Sequence, residues 1–314
     1  MKILVTGATG FLGRHLLPIL HNKYPQADIV GVSSKDYDLM NPLAVERLFI
    51  ENNPLVVVHL AAYSGGIGAN RTYPGDFYYR NTLLTALVFE QAAKFKVQKL
   101  IYTMGGCSYP ATAKSPIDES QMWEGYPQEE SAAYSTSKKM GIVASRAYRQ
   151  QYGLNSVVII PGNLYGEYDN FRQGESHVVP AMIRRFYEAK LANADEIVMW
   201  GTGKPCRDFV YAGDVATTIP YFIDNYDSSD PVNISTGTTT SIKELAETLK
   251  EMTGFSGKIV WDADKPDGQM VKIFDVKKLN SLGLYSLTSL RDGLQKTISW
   301  FDQHYLNKTD GIRL

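Results

Sequence analysis

Lys2-Ile3-Leu4-Val5-Thr6-Gly7-Ala8-Thr9-Gly10-Phe11-Leu12-Gly13 runs directly into Arg14-His15-Leu16-Leu17-Pro18-Ile19-Leu20. A short β-rich run leads into glycines spaced G-x-x-G-x-x-G, and an apolar helical run follows. Glycine lets the backbone turn tightly and approach a pyrophosphate closely. The free N–H groups and dipole of the helix N-terminus favour the anion. At an N-terminal strand–helix junction this pattern predicts a dinucleotide site cradled by Gly7, Thr9, Gly10, Phe11, Leu12 and Gly13. Pro18 falls inside the helix and is expected to kink it.

Working outward, Ile29 to Val32 reads as a second strand, and the residues after it bear on the cofactor. An acid there would bind the adenosine ribose and favour NAD. The run is instead Ser33-Ser34-Lys35, with no acid before Asp36. Hydroxyls and a cation suit a 2′-phosphate, so NADP(H) is expected over NAD(H). Asp38-Leu39 resembles the segment near the adenine in such folds. Leu55 to Leu60 is a continuous apolar strand of the kind buried in parallel sheets. It ends at Ala61-Ala62, small residues that let a cofactor pass. His59, inside that strand, is read as structural. Leu83 to Lys94 reads as a helix, and Lys99 to Thr103 and Val157 to Ile160 as strands.

Strands alternating with helices give an α/β fold with a doubly wound, parallel Rossmann sheet. Its ligands belong at the carboxyl ends of the strands, which Gly7, Ala62, Gly105 and Pro161 follow. Residues 1–161 are expected to form the dinucleotide-binding domain, with further sheet elements from about 205–240. Residues 162–314 are expected to form mainly a smaller α/β substrate-binding lobe, interleaved with it. Its helices are Val179 to Lys190 and Ser241 to Met252, and its strands Ile197 to Trp200 and Lys258 to Trp261.

The composition sets bounds. With 314 residues, 44% hydrophobic and 21% charged, the chain is an ordinary globular one. A formal net charge of -1 argues against a polyanion-binding surface, hence against nucleic acid. Two cysteines, Cys107 and Cys206, make no disulfide framework. No signal peptide, no run of the ~20 apolar residues that would span a bilayer, no repeat and no metal site are read. A cytoplasmic location without membrane attachment is expected.

The chemistry is sought in Ala132-Ala133-Tyr134-Ser135-Thr136-Ser137-Lys138-Lys139-Met140-Gly141, with helix from Ile142 to Gln151. Residues four apart share a helix face, so Tyr134 and Lys138 point the same way. An ammonium beside a phenol is expected to lower its pKa. A phenol tuned in that way can give a proton to a carbonyl oxygen as hydride arrives, or take one in reverse.

Glycine turn and Tyr–Lys pair together resemble the extended short-chain dehydrogenase/reductase superfamily. Longer stretches resemble the GDP-L-fucose synthase family: Gly65-Gly66-Ile67-Gly68-Ala69-Asn70, Tyr73-Pro74, Asn81, Asn163-Leu164-Tyr165-Gly166, Asp169-Asn170-Phe171, Ser176-His177-Val178-Val179-Pro180-Ala181-Met182-Ile183-Arg184-Arg185, Trp200 to Phe209, and Lys265-Pro266-Asp267-Gly268. The resemblance covers nearly the whole chain. It implies epimerisation of a GDP-4-keto-6-deoxy-mannose at C3 and C5, then NADPH-dependent reduction at C4, by a homodimer packed through helices near 83–94 and 134–151. Cys107 and His177 match the family's acid/base pair. Their side chains, with ordinary pKa values of about 8.5 and about 6.5, suit the work. Tyr134 is implied to stabilise the enolate and protonate C4 oxygen, and Lys138 to tune Tyr134 and bind the nicotinamide ribose. Leu60, Ala61, Ala62, Pro161, Asn163, Leu164 and His177 are implied cofactor contacts. Gly105, Cys107, Asn163, Val178, Arg185, Trp200 and Arg207 are implied substrate contacts, with Lys272 near the nucleotide end. Arg184 is read as a surface charge.

Two departures stand out. The family turn is Gly-Ser-Ser-Cys-x-Tyr-Pro, but here Met104-Gly105-Gly106-Cys107-Ser108-Tyr109-Pro110 puts Gly105 where the first serine belongs. Losing one donor to a developing oxyanion costs ~3 kcal/mol, roughly a hundredfold in rate. Ser108, Thr103 or a water are candidate substitutes, or the reaction is narrower. Thr9 and Ser34 also stand where relatives carry arginines for the 2′-phosphate. The alternatives are C4 reduction alone on a GDP-4-keto-6-deoxy-heptose, with room left by Gly105 and Gly106, a non-catalytic NADP-binding sensor or scaffold, and an epimerase or dehydratase of another nucleotide sugar.

Overall fold

The apolar runs around the glycine turn form strands buried on both faces. A computed structural model describes residues 1–307 and 312–314. Its first half runs β1 (Lys2–Thr6), α1 (Phe11–Lys23), β2 (Asp28–Val32), α2 (Pro42–Asn52), β3 (Val56–His59), α3 (Ile67–Thr72), α4 (Pro74–Lys94), β4 (Lys99–Thr103), α5 (Ala132–Tyr152) and β5 (Ser156–Pro161). Then come β6 (Asn163–Tyr165), α6 (Val178–Leu191), β7 (Glu196–Trp200), β8 (Cys206–Arg207), β9 (Phe209–Tyr211), α7 (Ala212–Asp224) and β10 (Val232–Ile234). The rest is β11 (Thr240–Ser241), α8 (Ile242–Thr253), β12 (Lys258–Asp262), β13 (Val271–Lys272), α9 (Lys277–Ser281) and α10 (Leu290–Tyr305).

Six strands form one sheet in the order β2-β1-β3-β4-β5-β10, every neighbouring pair parallel. Alternation along each strand divides its side chains between two cores. Ile3, Val5, Val58, Ile101 and Ile159 meet Leu16 and Leu20 of α1 and Ile219 and Phe222 of α7. Leu4, Val57, Leu100, Tyr102 and Ile160 meet Phe49 of α2, Phe89 of α4 and Ile142 of α5. The order in which the chain adds strands reverses between β1 and β3, which opens a crevice at their carboxyl ends. The last strand, β10, is supplied by residues far along the chain.

A third core joins α6, α8 and α10 to the paired strands β7 and β12, with Phe186, Leu245, Leu249, Leu294 and Phe301 at its centre. Strands β11, β8 and β13 make a small sheet beside it. Helix α8 opens with a capping box between Ser241 and Glu244.

Three expectations on local structure need amendment. Helix α4 starts at Pro74, well before the apolar stretch from Leu83, because proline is well suited to a first helical position. Helix α5 starts at Ala132, so Tyr134 and Lys138 lie in its first turns. Helix α1 runs past the apolar stretch that ends at Leu20 as far as Lys23, with Pro18 inside it as expected. No helix among the described residues is long and apolar enough to cross a membrane.

Asn81 ties α4 to the chain leaving β3. Its side chain accepts from Tyr63 N at 3.0 Å and donates to Tyr63 O at 2.9 Å and Phe77 O at 2.8 Å, fully buried. Asn81→Ala strands these backbone groups and should cost about 1–3 kcal/mol in urea unfolding. A loss below about 0.5 kcal/mol would show that water replaces the side chain freely.

Candidate active site

The glycine turn forms the crevice wall. Gly7 has φ +71, and a Cβ there would sit 2.8 Å from Ala61 N, so only glycine fits against the end of β3. Gly10 caps α1 without any side-chain hydrogen bond. The first N–H groups of α1 therefore point out of the helix with no side chain satisfying them, which suits a diphosphate. After β2, Asp36 turns back on its own loop. Its carboxylate accepts from Ser33 N at 2.8 Å and Ser33 Oγ at 2.7 Å, and these bonds lower its pKa. The nearest acid is thus engaged locally, and Ser34 and Lys35 stand exposed. These residues fit a dinucleotide bearing a 2′-phosphate better than one bearing a free ribose hydroxyl. Asp38 is exposed and accepts from Met40 N, whereas the Leu39 side chain lies in the core. Any Leu39 contact with a nucleotide must come from its backbone. Leu60, Ala61 and Ala62 follow β3 beside Gly7, and Pro161 ends β5. His59 is structural as expected. It is buried, bonds Thr6 Oγ1 at 2.8 Å, and is held neutral by burial, its pKa pushed down to about 3.

Beyond β4 the chain forms the turn that carries Cys107, and α5 lies against it. Ser135 Oγ donates to Cys107 O at 3.1 Å, fixing the turn on the helix. A Cβ at Gly105 would lie 3.3 Å from Cys107 Sγ and 3.6 Å from Tyr134 Oη. Gly105, Cys107 and Tyr134 are therefore one group. Lys138 joins it from below. It is 2% exposed, with Nζ 4.3 Å from the centre of the Tyr102 ring. Burial lowers its pKa to about 7, against which the Cys107 charge acts.

Several expectations are corrected here. Tyr134 is not tuned downward by Lys138. Burial raises its pKa, and the charges of Cys107 and Tyr102 add to the rise. The phenol thus stays protonated, as a proton donor requires. Ser108 does not substitute for the family serine. It is fully buried in the turn, its Oγ without a partner among the described residues, sealed from anything in the crevice. Thr103 Oγ1 is sealed in the same way. Gly106 leaves no room for a larger sugar, because a side chain there would collide with the Phe274 ring. Gly105, by contrast, borders Tyr134. Burial lowers the Lys272 pKa, with the charges of Cys107 and Arg207 acting in opposite senses.

His177 stands immediately before α6, exposed to solvent. Surrounding protein and the nearby Arg313 charge lower its pKa, an effect its solvent contact limits. Its loop is gripped from two sides. Gly66 N donates to Glu175 O at 2.7 Å. Side chains at Gly66 or Gly68 would collide with Ser176 O or Gly174 O, so the glycines of the Gly65–Asn70 segment let the loop close in. On the other side Arg313 Nη2 donates to Tyr168 O at 2.9 Å, and Phe171 N donates to Arg313 O at 2.9 Å. Asp169, between them, is buried and pushed up to about 7, with Arg313 opposing the rise. Arg184 is not simply a surface charge. It donates to Glu188 at 2.7 Å and to Phe171 O at 3.1 Å. Nothing in the sequence spacing announces Arg313 or Ser135.

Two cations come together in the second half of the chain. Register pairs Arg207 with Lys272 across β8 and β13. The Asp208 carboxylate, fully buried, accepts from Thr236 N, Thr236 Oγ1, Gly237 N and Phe274 N. Asp208 O accepts from Asn163 Nδ2 at 2.8 Å, and Leu164 follows on β6. Arg185 is exposed on α6, Nη1 lying 3.9 Å from Met199 Sδ, and Val178 opens the same helix. Trp200 is 67% exposed at the end of β7. Asp267 holds the turn beyond it, accepting from Thr202 N at 2.6 Å and Thr202 Oγ1 at 2.7 Å.

Residues 3–235 match the profile of the NAD dependent epimerase/dehydratase family. GDP-L-fucose synthase 1 of Arabidopsis thaliana is 39% identical over 307 residues, covering 98% of this chain and 95% of the relative. The solved structure of a GDP-L-fucose synthetase from Naegleria fowleri bound to NADP superposes with a TM-score of 0.91 at 28% identity, over 100% of this chain and 96% of that one. A GDP-6-OMe-4-keto-L-xylo-heptose reductase from Campylobacter jejuni gives a TM-score of 0.89 at 28% identity, over 96% and 98%.

Burial of Lys138 has a thermodynamic signature. Its folded pKa of about 7 lies below the ordinary 10.5. Between those values the unfolded chain holds a proton that the folded chain has released, so this group's cost is greatest below pH ~7 and shrinks as pH rises. Lys138→Met should stabilise the fold in urea, more at about pH 6 than at about pH 9.5. An equal gain at both pH values would contradict the burial argument.

Proposed function

The chain belongs to the NAD dependent epimerase/dehydratase family, in its GDP-L-fucose synthase group, and from that premise we propose that it reduces C4 of a GDP-4-keto-6-deoxy-mannose-type sugar with NADPH after epimerising C3 and C5. The observation that carries the reading is the single group formed by Gly105, Cys107, Tyr134 and Lys138 at the carboxyl end of the sheet. In this reading residues 1–161, with β10, hold the cofactor, and residues 162–314 mainly hold the sugar nucleotide. The glycine turn, Ser33, Ser34, Lys35 and the β3 exit hold NADPH, which when bound supplies the hydride for C4. Arg185 and Arg207 fork onto the substrate diphosphate. Trp200 offers an aromatic face at the rim.

A C4 carbonyl acidifies the protons on both neighbouring carbons. Cys107 takes a proton from one face, and His177, as the imidazolium, returns one to the other, its lowered pKa making that proton easier to give up. Tyr134 donates to the oxygen at C4, first against the enolate charge and then as the acid in reduction. Lys138 supplies positive charge beneath it. With Gly105 in place of a serine, Tyr134 carries this role with one donor fewer.

The heptose reductase as structural neighbour, together with the missing side chain at Gly105, supports a second reading, C4 reduction alone on a seven-carbon sugar. The reading also includes a homodimer built on α4 and α5, supported by the exposed Tyr78, Tyr79, Met140, Val143 and Tyr152.

Purified protein with a GDP-4-keto-6-deoxy sugar should oxidise NADPH. Tyr134→Phe should lower the rate by about 100-fold or more. Full activity in Tyr134→Phe would sink the mechanism, and no oxidation by the wild type would sink the function. Light scattering should find a dimer that Val143→Asp converts to monomer, and a monomeric wild type would refute the dimer.

A further inference from the structure

The chain's last residues make contacts that the mechanism above leaves without a task. Ile312 and Leu314 pack against the third core, and Arg313 between them turns to the segment that leads to His177. Its guanidinium donates to Tyr168 O at 2.9 Å, and its carbonyl accepts from Phe171 N at 2.9 Å. Tyr168 has φ +67, a left-handed backbone that a residue with a bulky side chain seldom adopts unsupported. The support comes from two directions. On one side His15 Nε2 donates to Glu167 O at 3.1 Å, and the His15 ring meets the Tyr168 ring edge-on. On the other side stands Arg313.

Between Phe171 and α6 the chain runs as a turn closed on itself. Arg172 O accepts from Glu175 N at 3.2 Å and from Ser176 N at 3.1 Å. The place of Arg172 therefore decides the place of Ser176, and His177 comes next. The Phe171 ring is buried beside Phe301, which anchors that residue by its side chain. Its backbone is fixed separately, by Arg313 at the N–H and by Arg184 at the carbonyl. Each step from Arg313 to His177 is thus a hydrogen bond or a bond of the chain.

We propose that Arg313 is a positioning residue for the epimerisation acid, its hydrogen bonds to Tyr168 and Phe171 holding the turn that presents His177 to the sugar. The inference rests on the reading above, in which His177 gives a proton to carbon. In that step an N–H bond of the imidazolium breaks and a C–H bond forms. The electron pair comes from the enolate, whose C4 carbonyl is restored. Arg313 touches none of these atoms. It sets the distance between the imidazolium and the carbon.

Hydrogen exchange read by mass spectrometry reports on the turn without turnover, and steady-state kinetics report on the chemistry. Arg313→Met removes the guanidinium, and deletion of residues 313–314 removes the carbonyl acceptor as well. Exchange in a peptide spanning residues 168–178 should rise about fivefold in Arg313→Met and about tenfold or more in the deletion, with the six-stranded sheet unchanged. The kcat for deuterium uptake at C3 and C5 should fall about tenfold in Arg313→Met with KM held within about twofold, because displacing a reacting group slows chemistry more than binding. Arg313→Lys keeps a donor and should recover kcat to within about threefold. If the deletion fails to fold, the Met and Lys variants decide alone. Unchanged exchange in that peptide overturns the proposal whatever the activity. So does a loosened turn with kcat unchanged, which would make Arg313 a support of the fold only, or an equal loss of kcat in the Met and Lys variants. A wild type that leaves a keto sugar untouched sinks the function above and this proposal with it, whereas an active wild type with unaffected variants sinks this proposal alone.

Discussion

The site depends on a lysine kept almost wholly out of water. Lys138 lies against the Tyr102 ring, and Tyr102 in turn is fully buried between β4 and α5. Tyr102 can lie there because Gly141, one turn along α5, has no side chain to collide with it. Its hydroxyl bonds Thr85 Oγ1 at 2.8 Å and Lys138 O at 3.2 Å. That interlock sets the height and rotation of α5 over the sheet. Tyr134 and Ser135 follow from the same helix, and Ser135 sets the Cys107 turn. One buried aromatic ring thus aligns the cation, the phenol and the thiol. The desolvation that lowers Lys138 also raises Tyr134, which leaves a protonated phenol beside a readily tuned cation.

The remaining chemistry is brought in by two latches. Glycines 65, 66 and 68 let the His177 loop close against α3, and the chain end returns through Arg313 to hold its other side. Asp208 gathers the loops after β10 and β13, so Arg207 and Lys272 stand beside each other on neighbouring strands. Both latches are backbone-directed, which makes them rigid with few side chains.

Much of this was legible in the sequence. The glycine spacing, the alternating strands and the Tyr134–Lys138 interval are local patterns whose periods map onto structure directly. What was hidden is what only tertiary contact decides. Gly105 and Gly106 look alike in the chain, yet one borders Tyr134 and the other is filled by Phe274 from more than a hundred residues away. Ser108 looked like a spare hydroxyl until its burial removed it from reach. Lys272 and Arg313 are distant in sequence from Cys107 and His177, and no spacing connects them. The sign of the Tyr134 shift was also out of reach, because an adjacent lysine predicts lowering while burial, invisible in the sequence, dominates.

The central claim is that one group of side chains both moves protons at C3 and C5 and completes reduction at C4. Incubation with NADPH and GDP-4-keto-6-deoxy-mannose in deuterated water, followed by NMR of the sugar, tests it most directly. The account predicts deuterium at C3 and C5 in a product reduced at C4. A reduced sugar without deuterium at either carbon would contradict it and leave a C4 reductase alone.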